Sequence, residues 1–124
     1  MKSPAPLGTV LLVERDADVR AVVREALDAE GYRFIATPDA KGALSLLMQH
    51  EDVGLILLSR PWRDDTGPRG LLTVIRGLPS LAAVPVVLID AMNRDVLPGA
   101  QGLLRKPFTL EMLLRVLERH YPKK

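Results

Sequence analysis

Three carboxylates, two cations and one hydroxyl stand where chemistry is easiest to build. The aliphatic runs Thr9–Val13, Val53–Leu58 and Pro85–Ile89 lead into Glu14, Ser59 and Asp90, and a shorter run, Leu103-Leu104-Arg105, leads into Lys106-Pro107-Phe108. Glu14, Asp16 and Asp90 are hard oxygen donors of the kind a divalent cation such as Mg²⁺ selects. Arg15 and Lys106 could hold an oxyanion, or pair with those acids. Ser59 becomes a nucleophile only beside a base. The stretch Leu57-Leu58-Ser59-Arg60-Pro61 lacks the glycines of a hydrolase elbow. The two histidines, His50 and His120, fall at the ends of expected helices and read as surface positions. Asp64-Asp65 form a second acidic pair that turn chemistry explains.

These residues share a site only if the chain brings the strand ends together. Strand-like and helix-like segments alternate throughout. A helix from Asp16 or Ala17 to Glu30 is expected from the spacing of Val19, Val22, Val23, Ala26 and Leu27, with Asp16 as cap and Gly31 just past the end. Tyr32–Ala36 reads as a short strand. Thr37-Pro38-Asp39 reads as a helix start, with the Thr37 hydroxyl capping and Pro38 at the first helical position. Leu71, Leu72 and Ile75 mark a third helix. Thr109 caps a last one carrying Leu110, Leu113, Leu114 and Leu117. Between Asp90 and Lys106 a full helix is expected but Pro98-Gly99 and Gly102 interrupt it, leaving one turn, Asn93–Leu97. Alternating βα units predict a parallel sheet. The expected fold is a flavodoxin-like, doubly wound, five-stranded parallel sheet of order 2-1-3-4-5 with a shortened fourth helix. Its strand ends form one ligand-facing edge.

Bulk composition narrows the function further. The 124 residues suit one domain, 1–124, with an aliphatic core, since aromatics are only 4% of the chain. The absence of cysteine removes disulfides and thiolate chemistry and fits a reducing, cytoplasmic setting. Net charge is +2 with scattered Lys and Arg, so no nucleic-acid footprint is expected. No apolar run is long enough to span a membrane. Gly8-Thr9 and Gly99-Ala100-Gln101-Gly102 lack the context of a phosphate loop. No constellation for an enzyme of another α/β class is present.

The chain resembles the receiver domain of bacterial response regulators along essentially its whole length. The resemblance is carried by Val10-Leu11-Leu12-Val13-Glu14-Arg15-Asp16-Ala17-Asp18-Val19-Arg20, Leu55-Ile56-Leu57-Leu58-Ser59-Arg60-Pro61, Pro85-Val86-Val87-Leu88-Ile89-Asp90-Ala91 and Lys106-Pro107-Phe108. It implies a phosphorylation pocket at Glu14, Arg15, Asp16, Ser59, Asp90 and Lys106, a switch position at Leu103, and a cis bond before Pro107. The pocket departs from the family at four places. Arg15 stands at a metal-ligating acid, Ser59 at the phosphoacceptor Asp, Asp90 at the hydroxyl that follows the phosphoryl group, and Leu103 at the switch aromatic. Phosphotransfer needs a carboxylate nucleophile and a dication. Arg15 places a fixed positive charge where the metal would sit, and Asp90 a negative charge where a donor is needed.

The expected outcome is a degenerate, phosphorylation-independent module with no catalytic residue, no Mg²⁺ and no other cofactor. Arg15 and Lys106 are expected to pair with Glu14, Asp16 or Asp90. Partners would be other signalling proteins or a second copy of the chain. Met92, Arg94, Asp95 and Leu104, within the altered face Met92–Leu104, are the expected contact residues, together with the edge of the last helix. Trp62 serves either as a lid over the site or as a partner anchor. Two alternatives stay open: phosphorylation at Ser59, Asp64 or Asp65, and a sensor whose Arg15 and Lys106 hold a small anion.

Overall fold

In the computed structural model, which describes residues 8–61 and 66–122, five strands and four helices alternate until the last crossover. The elements are β1 (Thr9–Val13), α1 (Ala17–Ala29), β2 (Arg33–Thr37), α2 (Ala40–Gln49), β3 (Val53–Ser59), α3 (Thr66–Gly77), β4 (Val86–Asp90), β5 (Gly102–Arg105) and α4 (Leu110–His120). Trp62, Asp64 and Asp65 lie outside the described residues. The strands form one parallel sheet in the order β2-β1-β3-β4-β5. This is the expected flavodoxin-like arrangement.

The aliphatic runs are explained by burial on both faces. Leu11, Val13, Ile56, Leu58, Val86 and Leu88 pack with Ala43 and Leu47 of α2 and Leu71, Leu72 and Ile75 of α3. Their alternate neighbours Val10, Leu12, Leu55, Leu57, Val87 and Ile89 pack with Val23 and Leu27 of α1 and Leu113 and Leu117 of α4. Period-two alternation in the central strands thus feeds two aliphatic layers of one core. At the end of the sheet opposite the candidate site, the Tyr121 hydroxyl fills the space that a Cβ on Gly54 would need.

Helix ends follow ordinary capping chemistry, with one correction. The Asp16 carboxylate accepts from the N–H groups of Asp18 and Val19, and the Thr109 hydroxyl from that of Met112. α2 is capped by Asp39, whose side chain accepts from Gly42 N at 2.8 Å. Thr37 is not the cap and Pro38 is not the first helical residue. Thr37 is the last residue of β2, because its carbonyl is committed to the sheet edge, accepting from Glu14 N at 3.0 Å. Gly31, just past α1, has φ of 90°, the left-handed conformation that ends helices.

The connection between β4 and β5 also departs from expectation. The single turn over Asn93–Leu97 does not form, and no helix lies between the two strands. Gly99 adopts φ of 94° and Ala100 N donates to Leu97 O, so the segment turns back at Pro98-Gly99. Arg76, at the end of α3, does the work that helical hydrogen bonds would otherwise do. Its guanidinium donates to Gly99 O (2.9 and 2.7 Å), Ala82 O (3.0 Å), Val84 O (2.8 Å) and Gln101 Oε1 (2.7 Å). Gln101 Oε1 in turn accepts from Val86 N at 2.7 Å. Among the described residues, no helix is long and apolar enough to cross a membrane.

Candidate functional site

Strand ends at the carboxyl edge of the sheet line an open cavity of about 620 Å³. Val13, Glu14 and Arg15 approach from β1, Leu58, Ser59 and Arg60 from β3, Asp90 and Ala91 from β4, and Lys106 from just beyond β5. Because β1 and β3 are neighbours whose connections leave in opposite directions, a crevice opens between them. Ser59 is half-buried at the end of β3, in register with Ile89. The Lys106–Pro107 peptide bond is cis.

The buried acids are held in two separate groups. Glu14 is 4% exposed. Its Oε2 accepts from Asp16 N at 3.2 Å, and its Oε1 lies 2.6 Å from Lys106 Nζ. That approach is electrostatic rather than a well-directed hydrogen bond, so Oε1 has no hydrogen-bond partner among the described residues. Asp90 is 1% exposed and meets two guanidinium groups. Arg94 donates from Nε to Oδ2 at 3.1 Å and from Nη2 to Oδ1 at 2.8 Å, while Arg60 Nη1 sits 3.3 Å from Oδ2. Met92 N completes the set, donating to Oδ1 at 2.9 Å.

This arrangement settles the Asp90 charge. Burial raises its pKa, but the Arg94 hydrogen bonds, the Met92 N–H and the charges of Arg94 and Arg60 outweigh burial and hold it below the ordinary 3.8. A carboxylate depressed in the folded state adds stability above its unfolded pKa and loses that contribution as pH falls through the folded value. Thermal melts across an acid series should therefore show wild type and Asp90→Asn converging as pH drops below 3.8. A gap that stays constant would assign the Asp90 contribution to packing instead of charge.

Several expectations need correction against this geometry. Lys106 does pair with Glu14, but Arg15 is exposed and makes no ion pair among the described residues. Its backbone carbonyl instead accepts from Arg20 Nη1 at 2.9 Å, as does that of Glu14 at 2.7 Å. Asp16 is spent on capping α1, a local role that outcompetes the ion pair. Leu104 is 3% exposed and packs in the core between β4 and α4, which removes it from the contact residues. Leu103 is half-buried against the opposite layer. Arg94 is drawn into the cavity wall, its side chain 25% exposed, whereas Met92 and Asp95 are exposed as expected. His50 and His120 stand at the ends of α2 and α4 as expected, each half-buried; burial, then the Arg119 charge, lowers the His120 pKa.

The residue that sequence reasoning missed is Arg60. It follows β3 by one position, and its N–H continues the ladder by donating to Ile89 O at 2.8 Å, which carries its side chain over the end of β4. The available signal was a charged residue directly beyond a fully aliphatic strand. For Arg94, the signal was its place four residues after Asp90.

Proteins similar to this chain in sequence or in fold are regulatory proteins. The KDP operon transcriptional regulatory protein KdpE of Escherichia coli is 32% identical over 125 residues, covering 92% of this chain and 53% of that protein. The response regulator protein FleR of Pseudomonas aeruginosa is 32% identical over 114 residues, covering 90% of this chain and 24% of that protein. The chain is a response-regulator receiver domain. Among solved structures, the chemotaxis response regulator CheY4 of Vibrio cholerae superposes on this receiver domain with a TM-score of 0.79, covering 90% of this chain and 97% of that one at 22% identity. No family model matches the sequence. The receiver domain spans about half the length, or less, of the first curated relatives it matches.

Proposed function

We propose that this receiver domain is degenerate and works as a phosphorylation-independent interaction module, binding other signalling proteins in the cytoplasm or a second copy of itself. One observation carries the reading: Asp90, at the position where the family resemblance puts the hydroxyl that follows a phosphoryl group, is buried between Arg60 and Arg94. Ser59 supports it, since a hydroxyl replaces the carboxylate nucleophile at the acceptor position, and the acids at the same edge, Glu14 and Asp90, are engaged by Lys106 and by Arg60 and Arg94.

The donor set does not suit Mg²⁺. Glu14 is engaged by Lys106 and Asp90 by two arginines, so a cation would first have to break those pairs. Among the described residues, no group of three or more His, Cys, Asp or Glu is arranged to hold a metal ion. The proposed role is recognition rather than catalysis, without Mg²⁺ and, given a net charge of only +2 with scattered Lys and Arg, without nucleic acid. The contact face is the helix-free connection after β4, where Met92 and Val96 are 38% and 45% exposed.

Incubation of the full chain with acetyl phosphate and Mg²⁺, followed by intact mass, tests the reading. The expected spectrum shows no added phosphoryl group. A stoichiometric adduct would overturn it, and fragmentation would then place the phosphoryl group on Ser59, Asp64, Asp65 or elsewhere.

A further inference from the structure

We infer that Asp90 is the anchor of a crossed arginine clamp that sets the conformation of the segment between β4 and β5, making the cavity and the exposed face beside it one mechanical unit. The segment has little of its own to hold it. It contains no helix, and Met92, Asn93, Asp95 and Val96 are all exposed. Its far half is pinned by Arg76 and by Leu97, which is 3% exposed in the core. Its near half, residues 91–96, depends on the cavity wall.

The two arginines cross there. Arg94 belongs to the segment; it grips both Asp90 oxygens and extends Nη2 to Pro61 O, 2.9 Å away beyond β3. Arg60 belongs to the β3 side; it approaches the same carboxylate and extends Nη1 to Asp95 O, 2.7 Å away in the segment. Each side chain therefore binds the shared carboxylate and then the backbone of the opposite connection. Arg105 adds a strut from β5, donating to Met92 O at 2.7 Å. Planar guanidinium forks impose orientation as well as attraction, so two forks on one buried carboxylate fix the loop in position and angle.

The consequence is directional coupling. Met92 and Val96 sit at either end of the stretch that the clamp spans, so anything that neutralises Asp90 or draws away one arginine frees the exposed face. A site that favours one arrangement of such an element biases whatever binds the other. That consequence for partners rests on the interaction reading above; the clamp itself is a property of the free domain and is tested without a partner.

The test is backbone ¹⁵N relaxation on wild type, Asp90→Asn and Arg94→Gln. Wild-type residues 92–96 should show order parameters near the rigid value of about 0.85, and both variants should drop below about 0.6 there while the central strands stay rigid. Arg94→Gln decides the matter if Asp90→Asn fails to fold, because the Arg94 side chain is partly exposed and its loss leaves Arg60 on the carboxylate. Order parameters in 92–96 that remain near 0.85 in the folded variants, that are already below about 0.6 in wild type, or that fall equally across the sheet would overturn the clamp. A phosphoryl adduct in the mass experiment with an intact clamp response would instead overturn only the phosphorylation-independent reading.

Discussion

Asp90→Ala should cost about 3 kcal/mol of folding stability, near the low end of the 3–5 kcal/mol expected when one partner of a buried ion pair is removed. The Arg60 side chain is 2% exposed and would lose the Asp90 carboxylate, its ion-pair partner at the end of β4, within the protein interior. Two features keep the cost at the low end. Arg60 still donates to Asp95 O, and Arg94, a quarter exposed, can turn its charge to water. Urea denaturation should show a lower midpoint with an unchanged slope. For a domain of this size the melting temperature should fall on the order of 10 °C. The decisive contrast is the triple variant Asp90→Leu, Arg60→Met, Arg94→Met. Replacing a whole buried ion cluster with apolar side chains of similar volume is often neutral or stabilising, because no charge is left to desolvate. The triple variant should thus recover most of what Asp90→Ala loses. If it is as unstable as the single variant, the cluster contributes through shape rather than charge.

That contrast also marks where the sequence was legible and where it was not. The aliphatic runs of β1, β3 and β4 announced themselves because burial on both faces forces continuous Val, Leu and Ile, and right-handed crossovers limit the strand orders to a few, of which 2-1-3-4-5 is one. The meeting of Glu14, Ser59, Asp90 and Lys106 follows from the same topology, since parallel strands deliver their ends to one edge. The pairings at that edge were not legible. Arg15 and Arg60 occupy similar places just past strands, yet one is exposed and the other buried. The difference lies in the next element: Asp16 starts α1 at once and turns Arg15 outward, while Arg60 continues the ladder against Ile89 before the chain turns. Such outcomes depend on backbone direction over one or two residues, which hydrophobic periodicity does not encode. The missing helix was half legible. Pro98, Gly99 and Gly102 declared a broken segment, but nothing local pointed to Arg76, more than twenty residues upstream, as the group that holds it.

Arg76→Ala should be the second large effect, about 2–3 kcal/mol, concentrated where no helix supports the chain. One guanidinium serves Gly99 O, Ala82 O, Val84 O and Gln101 Oε1, tying the end of α3 to the approach to β4 and to the approach to β5. Hydrogen bonds from a charged donor contribute about 1.5–3 kcal/mol each, but these share one donor group and several acceptors can turn to water, so they do not add. Gln101 extends the damage inward. Its Oε1 bridges Arg76 and Val86 N, the first residue of a fully buried strand, so a displaced Gln101 leaves a strand N–H without its acceptor. Arg76→Lys separates charge from geometry. An ammonium keeps the charge and can reach one acceptor cluster, but it cannot present five donors in a plane. It should recover less than half of the loss. Equilibrium denaturation of the three proteins checks the order wild type, Lys, Ala; a lysine variant as stable as wild type would show that charge alone holds the segment. The clamp at Asp90 and the hub at Arg76 grip opposite ends of the same helix-free stretch, so the double variant Arg76→Ala, Arg94→Gln should lose more than the sum of the single losses. Either anchor alone limits how far the segment can move, and only their joint removal lets Leu97 leave the core.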